Sequence, residues 1–493
     1  MSAPVAISCR VTEIRDELFH RRHAVRVRTG PQVLTSERSP TRPIQGRRRT
    51  ESTQSASAFP GGCEVSVFVS PASSASPASP ASSVSSRTAS VDALRWPDVA
   101  TLPRAIRLRT AADERRVWHA VGRLPLRVLL AGGDPIGRGG PLMEVHDPHA
   151  FFRRVASGGL TGFGESYMAG EWDAHDLVGV LSVFAEHAAT LVPRPRGRRR
   201  GVLSPRRPAG HRTYALPYDP PYDPPGELMA LFLDETLSYS SALFRGFPAE
   251  QHLLAAAQHR KIDRLLDLAG VGAGTQLLEI GTGWGELAIR AALRGARVLT
   301  VTLSRQQQEL ARRRVHEAGL EHRVTVLLRD YRKVLGRYDA IVSVEMIEAL
   351  GEEHWPQYFM TLDRLLAPGG RVALQTKTMP HDRLPASRTT YAWTRKYISP
   401  GGQLPSNEAI EQIVTGCTAL RPAERAGFGP HYAETLRLWR ERFTQRAADV
   451  EAFGFDETTR RMWTFHLAGS EAGFRSGALD VQQVLLTKTK TAP

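Results

Sequence analysis

The 493-residue sequence predicts an α/β fold: a doubly wound domain over residues 227–493, a smaller α+β domain over 96–190, and a disordered low-complexity extension over 1–95. Three observations carry this. From about residue 250 onward, apolar runs of strand length alternate with helix-period segments, as in a parallel sheet covered on both faces. The stretch "LLEIGTGWGELAI" (277–289) sets three glycines on alternate positions between a strand and a helix, where such folds bind ligands. Composition also shifts, near residue 95 and across a Pro/Arg-rich linker at 191–226.

Taken in order, "SPASSASPASPASSVSSRTAS" (70–90) holds too little apolar surface to offset its ordering entropy, so disorder is expected there. Patterning resumes at Trp96: "LPRAIRLRTAADERRVWHAVG" is partly helical, "LPLRVLLAGG" is strand-like, and 151–188 reads helix, turn, helix. "YDPPYDPP" (218–225) interrupts regular structure. Beyond it, Ile262, Leu265, Leu266 and Leu268 have helical spacing, with Gly270 placed to end that helix. Then come strand "TQLLEIG", helix "GELAIRAALRG", strand "ARVLTVTLS", helix "RQQQELARRRVHEAG", and strands "RVTVLLRD" and "YDAIVSVEM". The helix "WPQYFMTLDRLLAPGG", expected to end at Gly369 and Gly370, and the strand "RVALQTKT" complete the pattern.

The net charge of +15 comes almost wholly from arginine. It is uneven: "RPRGRRRGVLSPRR" (194–207) carries no acid and suits either anionic lipid headgroups or a plain solvated linker. No nucleic-acid motif accompanies it. Cys9, Cys63 and Cys417 lack metal-ligand spacing, so neither a zinc site nor a disulfide framework is expected. No window reaches the roughly 18 apolar residues of a membrane span, and Glu13, Asp16 and Glu17 interrupt any leader-like run. Cytoplasmic residence with peripheral contact to an anionic membrane is the expectation, as a monomer or a homodimer.

The glycine turn narrows the ligand. A phosphate loop needs Gly-Lys-Ser/Thr, and Trp284-Gly285-Glu286 stands there instead. A dinucleotide fingerprint read from Gly281 meets Glu286 at its third glycine, and read from Gly283 it finds no acid at the next strand end. The E-x-G-x-G-x-G pattern resembles the first motif of class I S-adenosylmethionine methyltransferases. "TLSRQQ" (302–307), "LFLDETLSYSSALF", "AQHRKID", "EMIEALG", "KYISPGGQLPS", "HYAETLRLW" and "EAGFR" together resemble the cyclopropane-fatty-acyl-phospholipid synthase and mycolic acid cyclopropane synthase family over residues 227–486. "GLTGFGESYMAGEW" (159–172) resembles the N-terminal domain of its longer members.

That resemblance implies a Rossmann-like methyltransferase domain that alkylates the cis double bond of unsaturated phospholipid acyl chains with S-adenosyl-L-methionine. The resulting carbocation loses a proton and closes a cyclopropane ring. The same cation can end as a methylene branch, reducible to a methyl branch, and a non-catalytic lipid-binding relic is the alternative outside enzymology. The implied cofactor shell is Tyr239, Ser240, Glu279, Gly281, Gly283, Thr302, Leu303, Gln307 and Asp330, with Leu303 equally readable as ordinary strand packing. The implied base is a bicarbonate ion held by a glutamate, a histidine, a tyrosine and two backbone amides. Glu348 and Tyr432 match the glutamate and tyrosine; Gln375 replaces the histidine, and Ser241 replaces a cysteine whose backbone amide is the contact. Lys377, at a usually apolar position, holds an anion or faces water. The family's "HYDLSN" lid segment is "PYDPPG" here, keeping only Tyr222 and Asp223.

Overall fold

The computed structural model describes residues 91–103, 119, 121–187, 226–389 and 393–489. Residues 1–90 of the low-complexity extension, the arginine run and residues 221–225 of "PYDPPG" lie outside these residues; 91–95, expected to be disordered, instead form a turn in which the Trp96 amide donates to the Asp92 carbonyl at 2.8 Å.

The N-terminal unit starts with Trp96, wholly buried, whose indole N–H donates to Asp456 across the fold at 2.8 Å. Strands β1 (Arg127–Leu130), β2 (Ile136–Gly137), β3 (Leu142–Val145) and β4 (Trp172–Asp173) form a small sheet in the order β2-β1-β3-β4. Helix α1 (Pro148–Gly158) is capped by the Asp147 carboxylate, which accepts from the Ala150 amide at 2.9 Å. Gly159, at φ +56, breaks it from α2 (Leu160–Met168), and α3 (Leu177–Glu186) closes the unit.

In the larger unit, α4 (Gly226–Phe232) and α5 (Leu254–Leu268) precede β5 (Gln276–Ile280), α6 (Glu286–Leu293), β6 (Arg297–Thr302), α7 (Arg305–Glu317) and β7 (Val324–Leu328). They are followed by β8 (Tyr338–Val344), α8 (Trp355–Leu365), β9 (Leu366–Thr378), α9 (Asn407–Cys417), β10 (Leu420–Gly427), α10 (Gly429–Gln445), α11 (Glu457–Arg475) and β11 (Asp480–Lys488). Sheet order is β10-β11-β9-β8-β5-β6-β7. Strands β5 to β9 pair in parallel, each central strand buried on both faces. Order reverses between β5 and β8, so the carboxyl ends of these two strands flank the switch-point crevice.

Two expectations are corrected. The sheet is mixed, because β11 pairs antiparallel with β9 and with β10. Helix α8 stops at Leu365, short of the glycines: Leu366 is already extended, at φ −80° and ψ 130°, and Tyr338 of β8 pairs with it. Strand pairing there outcompetes the helical period of the side chains.

The two units share one core. Phe163 stacks on Trp172 with ring centroids 4.7 Å apart, and both belong to the buried cluster that includes Trp393, Trp439 and Phe465. At Gly164 a Cβ would fall 2.3 Å from the Trp393 ring, so only glycine permits this approach. Lys396 forms ion pairs with Asp98, at 2.7 Å, and with Glu165, which also accepts from the buried Tyr397 hydroxyl at 2.8 Å.

Candidate active site

The turn after β5 holds Gly281, Gly283 and Gly285 at φ +99, +50 and +95, values that strain any residue with a Cβ. Their roles differ. Gly285 lets α6 pack on α7, since its Cβ would touch Ala311 at 3.1 Å, whereas Gly283 faces open space and Gly281 meets only Met346 at 3.9 Å. The open side belongs to a cavity of about 1000 Å³. Tyr239, Ser240, Glu279, Gly281, Gly283 and Gln307 all line it. Thr302 stands behind and donates its hydroxyl to Gln307 Oε1 at 2.8 Å, while Ser304 caps α7 through the Gln307 amide. The remaining two expected cofactor residues sit off the lining. Leu303, instead of packing like a strand residue, is 64% exposed just past the end of β6. Asp330 is clamped by Arg332 at 3.0 Å; burial opposes its ionisation, but these hydrogen bonds hold its carboxyl below the usual range.

Glu279 is buried on β5, and its Oε2 has no hydrogen-bond partner among the described residues. Burial pushes its pKa up to about 8, against the Thr300 hydroxyl and Lys261. Lys261, buried on α5, donates to Ser240 Oγ at 2.6 Å, and burial lowers it to about 8 despite the surrounding carboxylates. A buried acid with an unpartnered oxygen and two open glycines, Gly281 and Gly283, suit the charged methionine end of S-adenosylmethionine. Tyr239 adds an aromatic face, stacked on Trp439 at 5.2 Å, with its hydroxyl 3.2 Å from His466 Nε2. Burial and Lys377 drive His466 down to about 3, so this imidazole is neutral.

The same cavity is lined by Glu345, one residue past β8, at φ +50. Its side chain is only 3% exposed. Oε1 accepts from the Ser241 amide and from Gln375 Nε2, both at 2.9 Å; Oε2 accepts from the Tyr432 hydroxyl at 2.8 Å and from Lys377 Nζ at 3.1 Å. Burial raises its pKa, but Lys377 and the other three donors outweigh it and hold the carboxyl below its ordinary value. Lys377, in turn, is raised because its two carboxylate neighbours outweigh burial. It therefore holds an anion, and that anion is a side chain of the same protein. Glu348 takes no hydrogen bond from these four donor groups: its Oε1 accepts from the Lys377 backbone amide, and its Oε2 is buried without a partner among the described residues. Burial and the Glu345 charge push Glu348 up to about 7, against the pull of Lys377.

Three residues expected around a bicarbonate, Ser241, Gln375 and Tyr432, thus converge, but on Glu345. Glu345 is the first residue of "EMIEALG", in which the family resemblance singles out only Glu348. The available signal was a second acid three residues before Glu348, at a strand end beside the switch point. The cradle does not suit bicarbonate, because these donors are already engaged and a second anion would lie against a carboxylate.

Fold and site together define an S-adenosylmethionine-dependent methyltransferase. The chain matches the family described as Mycolic acid cyclopropane synthetase over residues 214–484. Tuberculostearic acid methyltransferase UfaA1 of Mycobacterium tuberculosis is 50% identical over 418 residues, covering 81% of this chain and 97% of that protein. Cyclopropane-fatty-acyl-phospholipid synthase of Escherichia coli is 30% identical over 384 residues, covering 75% and 94% respectively. Among solved structures, the cyclopropane synthase MmaA2 from Mycobacterium tuberculosis matches with a TM-score of 0.50 and 29% identity, over 54% of this chain and 96% of that one. Mycolic acid cyclopropane synthase CmaA1, complexed with SAH and CTAB, matches to the same extent. The chain belongs to the mycolic acid cyclopropane synthetase family.

Proposed function

We propose that the protein methylates the double bond of an unsaturated lipid acyl chain and releases a methylene-branched product. The observation that carries methyl transfer to an acyl chain is the composition of the cavity. Its cofactor end, at Glu279, Gly281 and Gly283, continues into an apolar chamber lined by Leu160, Met229, Trp393, Leu436 and Phe465, with Glu345 and Tyr432 also on its lining. Such a chamber suits an alkyl chain and excludes water from a cation.

Bound S-adenosylmethionine supplies an activated methyl group. The chain's own residues do the rest. The glycine turn and Glu279 would hold the cofactor, the apolar walls would align the double bond, and Glu345 and Tyr432 bring polar atoms to the same lining. The alkene π pair forms the new C–C bond as the S–CH₃ bond breaks toward sulfur, leaving a cation on the neighbouring chain carbon. A hydride shift from the methylated carbon moves the charge beside the new methyl; loss of a methyl proton then gives the methylene branch.

The 50% identical relative, named for methylation, favours this ending. Direct closure of a cyclopropane ring on the first cation is the second reading, favoured by the name of the Escherichia coli relative. Expression in a cell lacking such a synthase, followed by mass spectrometry of fatty acid methyl esters, tests both. A fatty acid heavier by one CH₂ is expected, and fragmentation separates branch from ring. Its absence refutes methyl transfer to acyl chains.

A further inference from the structure

We propose that Glu345 is the proton acceptor of the reaction, a base built into the chain in place of a bound bicarbonate; this rests on the methyl-transfer reading above. The four donors around it come from three places far apart in the sequence: Ser241 ahead of α5, Gln375 and Lys377 on β9, and Tyr432 on α10. Four donors fill the four lone-pair directions of one carboxylate. A charge-balancing ion pair with Lys377 needs only one of them. The backbone is held for this purpose as well: Glu345 adopts φ +50, a region that disfavours residues with a Cβ, and its amide is fixed to the Gln375 carbonyl at 2.7 Å. Glu345 also lines the cavity that joins the glycine turn to the apolar chamber.

The chemistry asks little of the base. A methyl group adjacent to a carbocation is strongly acidic, so an ionised carboxylate suffices even when its donors make it a weak base. The methyl C–H bond breaks, its electron pair forms the new C=C or ring bond, and the proton passes to Glu345 Oε2. Oε2 then becomes a donor, and the Tyr432 hydroxyl, which can rotate from donor to acceptor, receives it. The cationic charge of the substrate is thereby transferred to the carboxylate as a proton, and no external anion is consumed.

The test compares the parent protein with Glu345→Gln and Glu345→Gly, with bicarbonate as the probe. Glutamine keeps the shape and removes the base: turnover is expected to fall by about 100-fold or more, with S-adenosylmethionine affinity kept within about threefold. Glycine accepts φ +50 without strain and leaves the four donors around an anion-sized gap. This variant is expected to bind ¹³C-bicarbonate by NMR and to regain turnover, saturably, in millimolar bicarbonate. The parent is expected to bind none and to keep full turnover in CO₂-free buffer. Bicarbonate binding by the parent, loss of its turnover in CO₂-free buffer, or retained turnover in Glu345→Gln overturns the proposal. If Glu345→Gly does not fold, the parent and the glutamine variant decide. Should the parent methylate no unsaturated lipid, the methyl-transfer reading fails separately, and the ¹³C-bicarbonate comparison, which needs no lipid, still tests the cradle.

Discussion

Glu279, Glu345 and Glu348 are three buried carboxyls with three different fates, set by their neighbours. Glu345 has four donors and stays ionised, Glu348 has one backbone donor and a charged neighbour, and Glu279, on the cavity lining, has a buried oxygen with no partner among the described residues. Because Glu348 sits near pKa 7, glutamine imitates a form it already populates. Glu348→Gln is therefore expected to cost less than about tenfold in turnover, far less than Glu345→Gln, as measured by initial rates at pH 7. Glu279 gives a stability test. Its folded pKa, about 8, lies above its ordinary 4.5, so its contribution is fully present below pH 4.5 and is lost as pH rises through 8. Glu279→Gln should remove that loss. Urea melts from pH 5 to 8.5 are expected to show the variant gaining on the parent with pH, by on the order of a few kcal/mol at the alkaline end, while its cofactor affinity falls.

At the scale of elements, what could be read from the sequence followed from burial. Strands β5, β6 and β8 are buried on both faces and read as apolar runs, so the alternating pattern and the glycine turn were visible. Strand β10, "LRPAERAG", is an edge strand with mostly exposed side chains; it carries charge and a proline, and no period marks it as a strand. The anion cradle was half visible. Ser241, Gln375 and Tyr432 could be named from motif positions, but their common target depends on β8 lying beside β9, with α10 supplying Tyr432. The glycines make a paired prediction. Gly281→Ala, at φ +99 and facing the cavity, should cost about 1–3 kcal/mol in stability and weaken S-adenosylmethionine binding in a calorimetric titration. Gly164→Ala, pressed on Trp393, should cost a similar amount through overpacking and lower the melting temperature, with the glycine turn itself untouched.

For the molecule as a whole, the shared core makes the N-terminal unit part of the catalytic cavity: Leu160 of α2 lines the same chamber as Phe465 of α11. No helix among the described residues is long and apolar enough to cross a membrane. We propose that the acyl substrate is met at a membrane surface, with the acid-free 194–207 run, outside the described residues, supplying attraction of on the order of 1 kcal/mol per basic residue. Replacing Arg198, Arg199 and Arg200 with serine should weaken sedimentation with anionic vesicles, and the difference should vanish at high salt. Equal binding by variant and parent at low salt would assign membrane contact elsewhere. The central claim is that a methyl group reaches an acyl double bond and then surrenders one of its own protons to a base in this cavity. Feeding methionine carrying a CD₃ group to expressing cells tests it most directly. The account predicts a new fatty acid, heavier by one carbon, that retains two of the three deuteriums, whether the product is a methylene branch or a ring. Retention of all three, or no added carbon at all, would contradict it.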